Sequence, residues 1–398
     1  MVNNKIIQRL KSEKIITITF GLVVLIVSGI LISLLINPFT HPKVTGIHGR
    51  IIYITSNEDF NEYEFPGDGT EENPYIIENY TYFDYGLSGI YISGVSKSVI
   101  IRNNIIYSNH WDCGIFLASV SSPNVIIRDN IIYGSAYRLN VEAGIRIYNL
   151  YNCSILNNTI YNVDVGIKLL ASSYCLVENN TLVNNGRNIE VRDCTNLPIV
   201  SNILMIKIDN SGYGFSDSIH VENSINISIN ANDCKNGGIW FSASSSSTIT
   251  LQNNTLRGLE IGFFKNKANL LFNNSQQYAQ LILVNCTNCI IFNISIAKSI
   301  TGLSFYNCSY SNCSSCIFNE NYESGLYISH SYNLTISEGE YNYNLFGARI
   351  LYSNSIKLRN NLFQYNYYGV YLSNSVVIYE NNTFYNNIYE DISVYNYN

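Results

Sequence analysis

A short phrase recurs along this chain at intervals of 20 to 30 residues, most often 22: Gly, apolar, variable, apolar, then about ten residues on an Asn-rich step and another apolar pair. Its starts fall at Gly89, Gly114, Gly144, Gly166, Asn188, Ser218, Gly238, Gly258, Gln280, Gly302, Gly325, Gly347, Gly369 and Asp391. A near-constant period of this length, without a long helical pattern, means supersecondary units that bury their apolar faces only by stacking on one another.

One period shows how a unit is built. In Gly166-Ile167-Lys168-Leu169, alternation sends Ile167 and Leu169 to one side of a short strand and Lys168 to the other. A turn follows, then Leu176-Val177 as a second strand, and Asn179-Asn180 bends the chain toward Leu182. Asn tolerates left-handed corners, and stacked Asn amides can bond up and down a column. Three strands of three to five residues with their turns fill about 22 residues. Leucine-rich horseshoes have a similar period, but their Leu-x-x-Leu-x-Leu frame and helical half are missing from this chain, and propeller blades need about 40 residues. The expected fold is all-β, a right-handed single-stranded parallel β-helix of about 13 coils over residues 89–398, roughly 60 Å long at one strand spacing per coil.

The N-terminal end differs. Residues 15–36 are an uncharged, mostly apolar run preceded by Lys5, Arg9, Lys11 and Lys14 against Glu13 alone. That length spans a bilayer, and the basic flank at 1–14 keeps the N-terminus inside. The expectation is a transmembrane signal anchor with the solenoid outside the cell membrane; a secreted chain with a cleaved leader is the alternative. Residues 37–50, with Pro38, Pro42, Gly46 and Gly49, read as a linker, and 51–88 as an N-terminal cap. Within the cap, Asp59, Asp68 and Glu72 are candidates for calcium or for a sealing turn; no other cofactor is expected. From Ile15 onward there are 19 Lys and Arg against 28 Asp and Glu, a formal charge of −9. That sign gives no reason to expect nucleic acid, whose binding rests on neutralising phosphates.

The third residue of each phrase should point outward, giving the row Tyr91, Phe116, Arg146, Lys168, Glu190, His220, Trp240, Glu260, Ile282, Ser304, Tyr327, Arg349 and Tyr371. Its middle, Arg146, Lys168, Glu190, His220, Trp240 and Glu260, mixes charge with aromatic area and is the candidate ligand-binding face. Two coils are longer by about eight residues, near Tyr133 to Ala143 and Met205 to Asp217. These insertions could frame a loop site of Tyr137, Arg138, Glu142, Tyr213 and Asp217. No catalytic set declares itself. Glu190 and Glu260 stand three rungs apart, too far for a glycosidase pair, and the five His residues are scattered.

Ten cysteines accompany the repeat. Cys153 with Cys175, and Cys286 with Cys308, fall at equal offsets in successive phrases and should stack, whether as packing or as disulfides. The group Cys286, Cys289, Cys308, Cys313 and Cys316 has no clean paired metal spacing and no His among it. Thirteen Asn-x-Ser/Thr acceptors occur, many inside the corner word. Asn157, Asn179, Asn253 and Asn381 are expected to be held partly by the ladder, so few acceptors should carry sugar.

The Gly-Ile-x-Ile phrases, the Asn-Asn-x-apolar corners and the phrase Phe65-Pro66-Gly67-Asp68-Gly69-Thr70…Asn73-Pro74-Tyr75-Ile76-Ile77 together resemble the right-handed parallel β-helix repeat proteins. These are the group that includes NosD-like proteins and the carbohydrate-binding and sugar-hydrolase domain. The resemblance covers residues 51–398 and implies architecture, often in archaeal surface proteins. Members include copper-site accessory proteins, polysaccharide lyases and epimerases. Three readings follow. The first is a membrane-anchored extracellular protein that binds polysaccharide or a cell-surface protein, or is structural. The second is a lyase, hydrolase or epimerase on acidic polysaccharide around Arg146, Lys168, Glu190 and His220. The third is a NosD-like copper accessory protein, for which cysteine would have to supply the soft ligands.

Overall fold

The coil begins where a Cβ cannot be accommodated. A side chain at Gly166 would stand 2.6 Å from the Asn188 carbonyl of the next coil. From there the chain runs through strands Val165–Leu170, Leu176–Glu178 and Thr181–Asn185. Ile167, Leu169, Val177 and Leu182 face inward and are fully buried. In this computed structural model the described residues are 51–83, 88–108, 113–122, 124–134, 141–207, 217–273 and 277–395. The expected anchor at 15–36 and the linker lie outside them. Among the described residues no helix is long and apolar enough to cross a membrane.

Each corner takes two residues with separate tasks. Asn157, Asn179 and Asn253 adopt positive φ and are exposed, which turns the chain. The residue after each one points inward. Asn104, Asn130, Asn158, Asn180, Asn202, Asn232 and Asn254 form a buried column. In it, each amide accepts from the Asn of the preceding coil and donates to the Asn of the next, at 2.8–3.1 Å. The ladder is therefore the second Asn of the word. The expectation that Asn157, Asn179, Asn253 and Asn381 are held in it is corrected: Asn381 is likewise exposed at positive φ, and Asn382 takes the ladder position after it.

Stacking gives parallel ladders in strict register, and residues 51–83 already form the first coil. Ile52–Ile54 pairs with Ile90–Ser93, Tyr75–Glu78 with Val99–Arg102, and Thr81–Phe83 with Ile105–Tyr107. The short 3₁₀ segment Asp59–Glu62 drops Phe60 against Tyr75, with ring centroids 4.5 Å apart. Asp59 accepts from the backbone of Thr55 and Ser56, and Asp68 from Thr70. Those bonds hold both carboxyls below their usual range.

The roughly 13 turns do not form one uninterrupted rod. After Thr255–Leu256 the chain reverses through Arg257-Gly258, both at positive φ, and Leu259–Lys265 pairs antiparallel with the strand before it. From Lys265 on, coils stack parallel again through Tyr278–Val284, Thr301–Tyr306, Ser324–Ser329, Phe346–Leu351, Tyr368–Ser373 and Glu390–Tyr395. The joining sheet has 15 strands and runs through both stacks, whereas the other two sheets of the first stack end at Ile239–Phe241 and Thr250–Gln252. Beyond the hairpin the interior moves to the opposite face of that sheet. Leu281, Leu283, Leu303 and Phe305 line a second core, while Ile282, Val284, Tyr306 and Tyr327 belong to the first. Reversing both strand direction and interior face preserves the right-handed winding favoured by parallel crossovers.

This arrangement closes the open end of the first stack, where an unpaired strand edge would otherwise invite pairing. Gln280 donates to the Ile239 carbonyl at 2.8 Å and accepts from its N–H at 3.0 Å, standing in for a neighbouring strand. Tyr306 Oη donates to the Phe241 carbonyl at 2.9 Å. Ile282, Ser304 and Tyr327, expected to face solvent, are buried here for that reason. Substituting Gln280→Leu is expected to lower stability by about 2–3 kcal/mol through two orphaned backbone groups. Urea unfolding of the full chain should show that loss, and an unchanged midpoint would refute the capping role.

All ten cysteines are buried and none is in a disulfide. Cys286 N–H donates to Cys308 Sγ at 3.4 Å, so that pair stacks as expected. Cys153 and Cys175 also occupy successive coils at one position, next to the matched pair Ser154 and Leu176.

Candidate functional site

Register places the expected outward row on one sheet of the first stack. Tyr53, Tyr91, Phe116, Arg146, Lys168, Glu190, His220 and Trp240 are successive partners. Glu260 is not among them. It sits past the Arg257-Gly258 reversal, opposite Thr255, and is exposed. The phrase beginning at Gly258 is a hairpin turn, not a coil start.

The upper part of this row is aromatic, and its ring faces are used within the ladder. Tyr53 stacks on Tyr91 at 4.7 Å, Tyr91 on Phe116 at 5.0 Å, and the Arg146 guanidinium lies 5.4 Å over Phe116. His220 and Trp240 stack at 4.5 Å. This sheet ends at the strand bearing Trp240, so no further rung of it covers the other face of the indole.

Between the aromatic ends runs a chain of ion pairs, most of those found among the described residues. Glu142 binds Arg146 at 2.5 Å and Lys168 at 3.1 Å. Lys168 is 4.0 Å from Glu190, which binds Arg187 at 2.6 Å. Arg187 in turn binds Asp217 at 2.5 Å, and Asp217 holds His220 Nδ1 at 2.5 Å. Arg192 and Glu222 flank the chain; Arg192 is 2.8 Å from Glu190, and Glu222 is 3.7 Å from His220 Nε2. The side chains of Arg187, Glu190 and Asp217 are each only 5% exposed, so the centre of the network is an interior one.

The two sites expected from the sequence thus converge. Glu142 and Asp217 stand at the ends of the two longer segments, and both reach into the strand row. Tyr137, Arg138 and Tyr213 lie outside the described residues.

Burial alone would push the Asp217 carboxyl up; the Arg187 guanidinium and the His220 imidazole outweigh it and hold the group at about 2. Asp164 behaves in the opposite way. Burial, reinforced by the negative charge of Glu142, raises it to about 6 against the pull of Lys168 and Lys207. Three buried polar atoms here lack a hydrogen-bond partner: the donors Arg146 Nε and Trp240 Nε1, and His220 Nε2. Buried polar atoms without partners are uncommon, and these three lie on the strand face that carries the ion pairs.

Sequence reasoning missed Arg187. It occupies the rung position held by Ala143 and Val165 in the two preceding coils, and Cys113 before those. A cation in a column of small apolar residues was the available signal. An open groove elsewhere, lined by Ala243, Ser244, Asn285, Asn307 and His330, contains no comparable charge.

Two family models match the chain. One, for the right-handed β-helix region, matches residues 88–256 and 143–285; the other, for the periplasmic copper-binding protein NosD, matches residues 273–398. Among the curated proteins none matches. Solved structures that align include an A-module of a mannuronan C-5 epimerase from Azotobacter vinelandii, 11% identical over 86% of this chain and 96% of that chain, TM-score 0.31. A surface protein and adhesin of Streptococcus pneumoniae is 12% identical over 80% and 90%, TM-score 0.29.

Proposed function

The chain belongs to the right-handed parallel β-helix repeat proteins and is NosD-like, and on that premise we propose that it is an exported surface solenoid that binds polysaccharide across the Arg146–Trp240 strand face. In this reading residues 15–36 hold it at the membrane with the N-terminus inside. The observation that carries the proposal is one strand face on which the ion-paired Arg146, Lys168, Glu190 and His220 lie in register and end beside the Trp240 indole. Sugar hydroxyls and carboxylates pair with charged groups of this kind, and the indole supplies an apolar platform at the end of the row.

A second reading rests on one further feature. Asp217 fixes the His220 imidazole through Nδ1 and leaves Nε2 without a partner. That is the arrangement of an oriented general base, which a lyase or epimerase acting on acidic sugar would need. Copper handling finds less support. The cysteines between 286 and 316 lie in the second core, and the chain has only 2 Met and 5 His to supply other soft or imidazole ligands.

The test is binding of the full-length protein to a polysaccharide array that includes uronic-acid polymers, with released products followed by mass spectrometry with and without calcium. Binding that falls at least tenfold in the Lys168→Ala/Trp240→Ala double variant, without new products, is the expected result. Unsaturated or epimerised sugars would move the function to the second reading. An array without any hit would end both.

A further inference from the structure

The corner residues carry a second pattern that the turn itself does not require. Among the described residues, twenty-three asparagines have positive φ, and eleven of them are followed two residues later by Ser or Thr. Of the nineteen non-glycine corners occupied by other residues, only Ser119, Ala171 and Asp193 are so followed. A left-handed corner favours Asn but has no use for a hydroxyl two positions on. The pairing of the two is what an acceptor for asparagine-linked sugar needs.

The structure sorts these acceptors by the state of the amide nitrogen. Asn285 Nδ2 donates to Asn266 and Asn307 Nδ2 to Asn285, at 3.0 and 2.9 Å, in a ladder on the second stack. Asn226 Nδ2 likewise donates to Asn196 at 3.0 Å. At Asn79, Asn157, Asn179, Asn293, Asn333 and Asn381 the side chain is exposed on its corner, and no hydrogen bond among the described residues holds its amide. The buried ladder beside the first-stack corners uses the following residue, so a substituent on Asn157 or Asn179 leaves Asn158 and Asn180 in place.

We propose that these six exposed corners are sites of N-linked glycosylation. The reaction joins Asn Nδ2 to the anomeric carbon of a polyprenyl-diphosphate-linked oligosaccharide. The C–N bond forms as the sugar C–O bond to phosphate breaks, the lipid diphosphate leaves, and the displaced amide proton goes to solvent. At Asn285 and Asn307 the same sugar would replace a donor hydrogen and occupy the place of the neighbouring coil's amide. The inference requires export but is independent of the ligand proposed for the strand face.

The experiment is glycopeptide mapping of the full chain made in cells that possess an asparagine-linked oligosaccharyltransferase, with protease protection run on the same cells. Sugar on Asn79, Asn157, Asn179, Asn293, Asn333 and Asn381, with at least fivefold lower occupancy at Asn285 and Asn307, is the expected map. Thr335→Ala should abolish the Asn333 glycopeptide and Thr335→Ser restore it. A chain outside the membrane without sugar at the six corners, or with equal occupancy at the laddered sites, overturns this inference alone. A sugar-free chain retained inside overturns export as well.

Discussion

Replacing Asn180 with alanine is expected to destabilise the first stack by about 4 kcal/mol, the orphaning of several buried polar groups at about 1–3 kcal/mol each with partial relaxation. Asn180 is fully buried. Its Oδ1 accepts from the backbone and the amide of Asn158 at 2.9 and 3.0 Å. Its Nδ2 donates to Ile155 O and Glu178 O at 2.9 and 3.0 Å and to Asn202 Oδ1 at 3.1 Å. All five bonds go at once, and the groups left behind face a closed interior. Because neighbouring coils are the unit of stability in a solenoid, the damage should concentrate on the coils holding Asn158 and Asn202. Hydrogen exchange should show accelerated amides there and little change beyond Phe272. Asn179→Ala, one residue earlier but exposed at positive φ, should cost about 1 kcal/mol through backbone strain alone. Equal losses for the two variants would contradict the division of labour at the corner.

The second large effect is expected at Arg187. Arg187→Met removes the cation shared by Glu190 and Asp217, whose side chains are 5% exposed, and should cost about 3–5 kcal/mol at neutral pH, as breaking one side of a buried ion pair does. The pH profile separates this from lost packing. In the native chain the Asp217 carboxyl is depressed to about 2 from an ordinary 3.8. Its contribution is therefore complete above about 4 and disappears as pH falls toward 2. In the variant, burial acts on Asp217 with only His220 to oppose it. The carboxyl then moves upward, and the variant should gain stability relative to the native chain as pH drops from 7 toward 4. Parallel unfolding curves across that range would show that the guanidinium acts only by filling space.

How much of this was legible in advance depended on what each residue answers to. The row from Tyr91 to Trp240 was readable because the Gly phrase repeats with the coil itself, so register follows from counting. The hairpin was not, since Gly258 stands 20 residues after Gly238 and imitates the phrase. Arg257-Gly258 with two left-handed residues is a tight antiparallel turn, and only the pairing of Thr255 with Glu260 distinguishes it from a new coil. Counting the phrase through the hairpin sends Ile282, Ser304 and Tyr327 to solvent, although they close the first stack. The cluster at the candidate site was half legible. Lys168, Glu190 and His220 lie on the counted row, and Asp217 ends a visible insertion. Arg187 lies before the phrase, where period-two alternation assigns nothing, and its position became meaningful only beside Ala143 and Val165.

The central claim is that one strand face of the first stack receives a polysaccharide, and hydrogen exchange of the full chain with and without the strongest array ligand tests it most directly. Slowed exchange is expected in 143–148, 165–170, 187–192, 219–222 and 239–241, the strands carrying Arg146 through Trp240. Protection confined to the second stack, between Tyr278 and Tyr395, would place the ligand elsewhere and contradict the account.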